Sequence, residues 1–397
     1  MRTSTLGAHL ALTNQMLRQQ SAIARTQLQV STQRRVLTPA DDPVAAGRIL
    51  ALESQIASHA QYERNANAVG TRLSIEEQAL ADAGHVLQRV RELTLQANGG
   101  ALDDASRAAI ATEIGERIAE LQAIANRRDA TGRYLFAGHS VDSQPFVQSA
   151  SGIVYAGDQG VREVQVSPTQ FIRAGHDGFE VFGNIAEGNG TFTVDADAAN
   201  AGSGWIAPLA ALDPAAWTGG GYTVRFIDAA NYEILDASNA QVATGAYVSG
   251  AGIDFNGARF AITGAPAAND RFTIAPAGRR DLFAGLDDLV ATLRLPTGTD
   301  TARAQFNTGV GGALAQIDTA MDHLLNVRAE VGARLNVLDN VASSRESPEL
   351  ELQTAVSGLR DVDMVEALSR LTLEQTALTA AQKSFASFSR LSLFDYL

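Results

Sequence analysis

The feature that most constrains this chain is a leucine row. Leu73, Leu80 and Leu87 recur at sevens, with Val69, Ala83 and Val90 beside them. Such a row predicts one long helix that seeks partners along its length. Asp42 can cap its start, Pro43 suits its first turn, and Asn98-Gly99-Gly100 ends it near Ala97. At ~1.5 Å per residue that helix is on the order of 80 Å long. Few globular domains need one.

Both chain ends carry similar patterns. A first helix is expected from about Thr5 to Arg34, with Met16, Ile23 and Val30 at sevens and Gln20 and Gln27 on the adjoining row. A third begins near Asp103-Asp104, with Ile110, Ile114, Ile118 and Leu121 on one face. Near the other end, Asp300 can cap a helix carrying Ile317, Leu324, Val331 and Leu338. Its second row is Leu314, Met321 and Leu335, interrupted by Arg328, which must snorkel or pair. Ser347-Pro348-Glu349 is expected to cap the last helix, with Met364, Leu371, Leu378 and Phe385 at sevens and Leu368, Gln375 and Gln382 beside them. Seams diluted with glutamine make helices that are marginal alone and want partners. Met16, Ile23, Val30, Met364, Leu368, Leu371, Leu378 and Phe385 are therefore the candidate assembly interface, with the chain ends paired antiparallel.

The middle of the chain differs. Residues 137–280 hold 20 of the 35 glycines, 6 of the 10 prolines and 15 of the 24 aromatics. That composition marks short strands joined by turns. Strands are expected around Ile153–Tyr155, Glu163–Val166, Gln170–Ile172, Thr191–Val194, Tyr222–Ile227, Tyr232–Leu235, Arg259–Ile262 and Arg271–Ile274. The expected fold is α+β and multidomain: an antiparallel helical rod from both chain ends with a β-rich tip. Residues 1–41 with 347–397 form terminal assembly helices, and 42–145 with 281–346 a helical rod domain. Residues 146–186 form an inner β unit and 187–280 an outer one.

Chemistry is hard to find. A net charge of -13 argues against a general nucleic-acid binder, and the absence of cysteine excludes disulfides and thiolate sites. His9, His59, His85, His139, His176 and His323 show no metal-ligand spacing and read as solvated or locally satisfied. Asp41-Asp42 and Asp103-Asp104 read as helix caps, and Asp195-Ala196-Asp197 as a turn. Gly219-Gly220-Gly221 precedes a strand, so it is no phosphate loop. No catalytic, cofactor-binding or metal residues are expected, and the reading is not an enzyme. No membrane span is expected, and the N-terminus does not read as a removable leader.

Several segments nevertheless carry a resemblance. Ser31-Thr32-Gln33-Arg34-Arg35-Val36-Leu37-Thr38-Pro39-Ala40-Asp41-Asp42-Pro43 is similar to the link between the first two helices of flagellins and their relatives. Asn65, Asn67, Val90-Arg91-Glu92-Leu93, Glu113-Ile114 and Asn126 continue the pattern, and Val331-Gly332-Ala333-Arg334-Leu335-Asn336 resembles the return helix. Within the flagellin superfamily, the start Met1-Arg2-Thr3-Ser4-Thr5, the segment Gly132-Arg133-Tyr134-Leu135-Phe136-Ala137-Gly138 with Pro145-Phe146, and the end Leu391-Ser392-Leu393-Phe394-Asp395-Tyr396-Leu397 resemble the hook–filament junction branch. Gly257-Ala258-Arg259-Phe260-Ala261-Ile262-Thr263-Gly264-Ala265-Pro266 is similar to a β module of that branch. The resemblance implies a structural, extracellular flagellar protein, exported through the flagellar type III apparatus and assembled into a ring. Its implied partners are hook-associated protein 1, flagellin, further copies of itself, and an export chaperone at the C-terminal helix. The rival readings are a flagellin filament subunit and an elongated adhesin or phage-tail type of binding protein.

Overall fold

The computed structural model describes residues 5–99, 102–150, 152–206, 210–211, 217 and 219–394. Helical segments from both chain ends flank a β-rich middle. The helices are α1 (Thr5–Thr32), α2 (Pro43–Ala97), α3 (Asp104–Ala125), α4 (Leu282–Leu293), α5 (Asp300–Arg360) and α6 (Met364–Phe394). The start Met1-Arg2-Thr3-Ser4 and the end Asp395-Tyr396-Leu397, which carry part of the resemblance, lie outside the described residues. The chain divides into two compact units, one from residues 1–64 with 340–397 and one from residues 65–339.

In the unit of residues 65–339 the sequence rows become core. Leu73, Leu80 and Leu87 are fully buried, as are Ile114 and Leu121 of α3, and Ile317, Leu324 and Val331 of α5 lie almost wholly inside. Each such side chain contributes about 1.5–3 kcal/mol on burial. The ion pairs around them contribute less. Arg91–Asp318 (2.6 Å), Arg328–Glu77 (2.6 Å) and Arg89–Glu113 (2.8 Å) are all partly solvated, so water screens each of them. Arg328 therefore pairs, through α2. The row expected beside Ile317 and Leu324 is corrected: Ala320 and Val327 are buried, while Leu314 and Met321 are half-buried. The spacing that fills a seam is three then four, so the second row stands three residues on.

Helix α4 was not expected as an element. Asp281 caps it, accepting from the amides of Phe283 and Ala284, and Leu282, Phe283, Leu286, Leu289 and Leu293 form its buried face. Asp287-Asp288 lies inside it. Phe283 joins a cluster with Phe136, Phe146 and Phe182, whose ring centroids lie 5.2–6.2 Å apart where they pair.

The middle holds fifteen strands among the described residues. The first are β1 (Phe146–Ser149), β2 (Gly152–Tyr155), β3 (Glu163–Ser167) and β4 (Gln170–Arg173), which form two hairpins. A π turn at Phe179–Gly183 leads to β5 (Ile185–Ala186) and β6 (Phe192–Ala196). Then come β7 (Trp205–Ile206), β8 (Ala210–Ala211), β9 (Tyr222–Phe226), β10 (Asn231–Asp236), β11 (Gln241–Ala246), β12 (Gly252–Phe255), β13 (Ala258–Thr263), β14 (Arg271–Pro276) and β15 (Arg279–Arg280). One sheet runs β11-β10-β9-β14-β6, and a second runs β12-β13-β7 with β8 also on β13. Alternation decides the inward residues: in β14, Phe272 and Ile274 are buried while Arg271 and Thr273 face out. Phe192, Val224, Phe226, Ile234, Phe260 and Ile262 complete one apolar core drawn wholly from residues 192–274.

Candidate assembly surface

The unit of residues 1–64 with 340–397 is where sequence reading placed the interface. Its link between α1 and α2 is tied to the far end of the chain by backbone bonds. Gln33 takes a left-handed backbone (φ 59°), Arg35 donates its amide to the Arg360 carbonyl (2.7 Å), and Val362 donates to Gln33 (3.0 Å). Asp41 accepts from the amides of Leu37 and Thr38, and Asp42 caps α2 through the Ala45 amide. Those amides hold both carboxyls below the usual range, helped by Arg25 at Asp41 and Arg35 at Asp42 and opposed by partial burial. The motif that resembles the flagellin link is thus a staple between the two chain ends.

One expectation fails here. Ser347-Pro348-Glu349 caps nothing, because α5 runs through Pro348 to Arg360. An interior proline forfeits one helical bond, at a cost of about 3 kcal/mol. Here Pro348 and Ser344, the residue whose carbonyl loses its partner, both lie exposed, where water can substitute. The break falls instead at Asp361–Asp363, where the backbone turns away to pair with Gln33 and Arg34. Asp363 caps α6 through the amides of Val365 and Glu366.

From that closed end α1 and α6 pack together antiparallel. Ile23 is buried, and Met16, Val30, Met364, Leu371, Leu378 and Phe385 are half-buried. The structure therefore brings seven of the eight candidates into one intramolecular seam. Leu371, Leu378 and Phe385 are thus covered within the monomer, by α1. The companion rows are also corrected. Gln20, Gln27, Gln375 and Gln382 are exposed, and the second seam row is Gln19 and Thr26 against Ala367, Glu374 and Ala381. The seam is still diluted with polar groups. Thr26 donates its hydroxyl to Oε2 of Glu374 (2.9 Å), and Gln19 buries an Oε1 with no partner among the described residues.

Leu368, the eighth candidate, stands outside the seam. It belongs with a set of exposed leucines and valines on the same two helices: Leu10, Leu17 and Leu28 on α1, and Val365 and Leu373 on α6. Val365 and Leu373 are 77% and 71% exposed. Single exposed apolar residues are ordinary, but six on one pair of helices leave apolar area, on the sides turned away from the seam, that covering would stabilise. Of these six the sequence rows include only Leu368; the other five lie on none of the rows that mark the seam.

Chemically the described residues offer little else. They contain no group of three or more His, Asp or Glu side chains that could hold a metal ion, and no helix long and apolar enough to cross a membrane. Asp195 and Ala196 lie in β6 rather than in a turn, and Asp197 turns the chain by accepting from the Ala199 amide. The ring of His323 meets the Glu180 carbonyl (2.8 Å), while His176 is buried against two carboxylates that no local pattern foretold.

Comparison with known proteins supplies the biological setting. Residues 3–140 match the bacterial flagellin N-terminal helical region and residues 314–397 the bacterial flagellin C-terminal helical region. The chain is 26% identical over 372 residues to flagellar hook-associated protein 3 of Escherichia coli, covering 92% of this chain and 90% of that protein. It is similar to the crystal structure of Xanthomonas campestris FlgL, with 38% identity, a TM-score of 0.72, and coverage of 77% of this chain and 99% of that one. It is also similar to that of flagellar hook-associated protein 3 from Legionella pneumophila, with 27% identity, a TM-score of 0.75, and coverage of 78% and 98%.

Proposed function

The chain belongs to the flagellar hook-associated protein 3 family, and from that premise we propose how it serves as a structural junction component. Copies of the chain form a ring outside the cell, between hook-associated protein 1 and the flagellin filament. It reaches that place through the flagellar type III apparatus, with an export chaperone holding α6 beforehand.

The observation that carries this reading is the paired terminal helices. Met16, Ile23, Val30, Met364, Leu371, Leu378 and Phe385 close a seam with polar groups in it, while Leu368 and its exposed neighbours face outward. A marginal hairpin with uncovered outward leucines gains by packing against copies of itself, since each leucine covered contributes about 1.5–3 kcal/mol. The seam forms the hairpin, and the outward row makes the contact.

A flagellin filament subunit is the second reading, favoured by the match of both chain ends to flagellin helical regions. The two differ in what they build. Purified chain is added to hooks carrying hook-associated protein 1, flagellin follows, and the products are viewed by electron microscopy. A junction component lets flagellin grow from the hook and makes no long filament of its own. Long filaments of the pure chain would establish the flagellin reading instead.

A further inference from the structure

Both ring nitrogens of His176 face carboxylate oxygens. Nδ1 lies 2.6 Å from Oε1 of Glu76 on α2, and Nε2 lies 3.3 Å from Oε2 of Glu330 on α5. An ionised carboxylate only accepts, so each contact requires an N–H on the ring. Neutral imidazole has one N–H; only imidazolium has two. The backbone amide of His176 also donates to Oε1 of Glu76 (3.1 Å). The pair is inside the fold, with 4% of His176 and 1% of Glu76 exposed. A buried glutamate with no compensating charge would be strongly unfavourable, so the proton on the ring supports Glu76 as much as it does His176.

We propose that His176 is a protonated latch, tying the segment between β4 and the π turn to both α2 and α5, and that alkaline pH opens it. The charged groups around it are few. From α2 come Glu76 and Arg72, the latter already held by Asp129 (2.9 Å) and by the carbonyls of Tyr134 and Leu135. From α5 come Glu330 and Arg334, which pair with each other (3.0 Å). Asp177, next in the chain, accepts from the Glu180 amide. Burial drives the ring toward its neutral form, yet the hydrogen bond and charge of Glu76 outweigh it, with Glu330 assisting and Arg334 opposing. The net direction is upward from the ordinary value. A group raised in the folded state adds stability in full below its unfolded value, about 6.5, and loses it as pH rises through the folded value. The latch is thus closed at acid and neutral pH and opens on the alkaline side.

The test is a pH titration of the 15N-labelled full chain, reading both ring nitrogens of every histidine by long-range proton–nitrogen correlation. His176 should show two protonated nitrogens at pH 7 and a midpoint above the ordinary histidine value. Glu330→Gln, a change on an exposed side chain, should move that midpoint down. Amide exchange over residues 174–178, corrected for its chemical pH dependence, should accelerate as His176 loses its proton. In His176→Gln, which cannot carry the charge, that step should be absent. A His176 ring with a single protonated nitrogen at pH 7 would overturn the proposal, as would a step in exchange that survives in His176→Gln.

Discussion

The hydroxyl of Thr26 donates to the Glu374 carboxylate at 2.9 Å, joining residues 348 apart in sequence across the α1–α6 seam. This bond places a half-buried carboxylate where a heptad seam would ordinarily carry an apolar side chain, and Gln19 on the same row buries an unpartnered oxygen. The hairpin is therefore weaker than its leucines suggest. Thr26→Val should loosen it by about 0.5–1.5 kcal/mol, since Glu374 loses its donor. Gln19→Leu should tighten it, because an unsatisfied buried polar group costs about 1–3 kcal/mol. Hydrogen exchange along α1 and α6 reads both changes, which should have opposite signs.

Leu324 and Leu378 lie on heptad rows of similar appearance in the sequence, but their burial separates them. Leu324 is 1% exposed in the unit of residues 65–339, whereas Leu378 is half-buried in the hairpin. Leu324→Asp should lower the main melting transition strongly, by several kcal/mol, because it buries an unpaired charge. Leu378→Asp should separate α1 from α6 and leave that transition in place. Circular dichroism melts with residue-resolved exchange distinguish the two.

Gly138 takes a left-handed backbone (φ 67°), and a Cβ there would stand 2.1 Å from the Asp158 carbonyl oxygen. Gly138→Ala should destabilise the loop by more than about 1 kcal/mol, through both strain and collision. Asp158 organises the same loop, accepting from the His139 amide (2.8 Å), the Ser140 hydroxyl (2.7 Å) and the Gly160 amide (2.7 Å). Those donors, led by the His139 amide, lower its carboxyl to about 2. A depressed acid adds stability above its unfolded value, near 3.9, and loses it as pH falls through its folded value. Melting between about pH 4 and 2 should therefore fall more steeply in the native chain than in Asp158→Asn.

Strands β6 to β14 share an apolar core in residues 192–274, and the two connections to that segment run side by side, Glu187 donating its amide to Gly278 at 3.1 Å. A short Gly/Ser bridge from residue 187 to 278 should leave the helical circular-dichroism signal largely intact. The melt should drop modestly, because α5 loses contacts such as Thr308 to the Ile206 amide (3.2 Å) and Thr319 to the Gly188 carbonyl (2.8 Å). Collapse of the helical signal would show that this segment is integral to the helical core.

What was legible in the sequence was local or periodic. Asp42-Pro43 starts α2 and Asn98-Gly99 ends it because caps and turn residues act within a few positions. The sevens of Leu73, Leu80 and Leu87 named a true core row. Periodicity fixes one row more firmly than its neighbour: the companion rows stand three residues on, where a repeat of seven allows four equally well. The end of α5 was hidden for a different reason. Pro348 is the strongest local stop signal, yet the actual break answers to Gln33 and Arg35, more than 300 residues away. His176 was illegible in the same way, its partners Glu76 and Glu330 standing 100 and 154 residues off. Helix α4 did have a signal, the Asp281 cap before an apolar face.

If the terminal hairpin makes the assembly contact through its outward leucines, charge placed there must block assembly without unfolding the subunit. Leu368→Asp/Leu373→Asp is introduced into cells in place of the native protein, and flagellin on the cells and in the medium is measured. Both side chains are exposed in the free subunit, at 48% and 71%, so the purified variant should melt like the native chain. Covering two aspartates on assembly would cost several kcal/mol, about the scale of burying unpaired charge. The expected result is an unchanged melt with flagellin lost to the medium and filaments missing from the hooks. Filaments of normal number and length on that variant would mean that these leucines do not make the assembly contact.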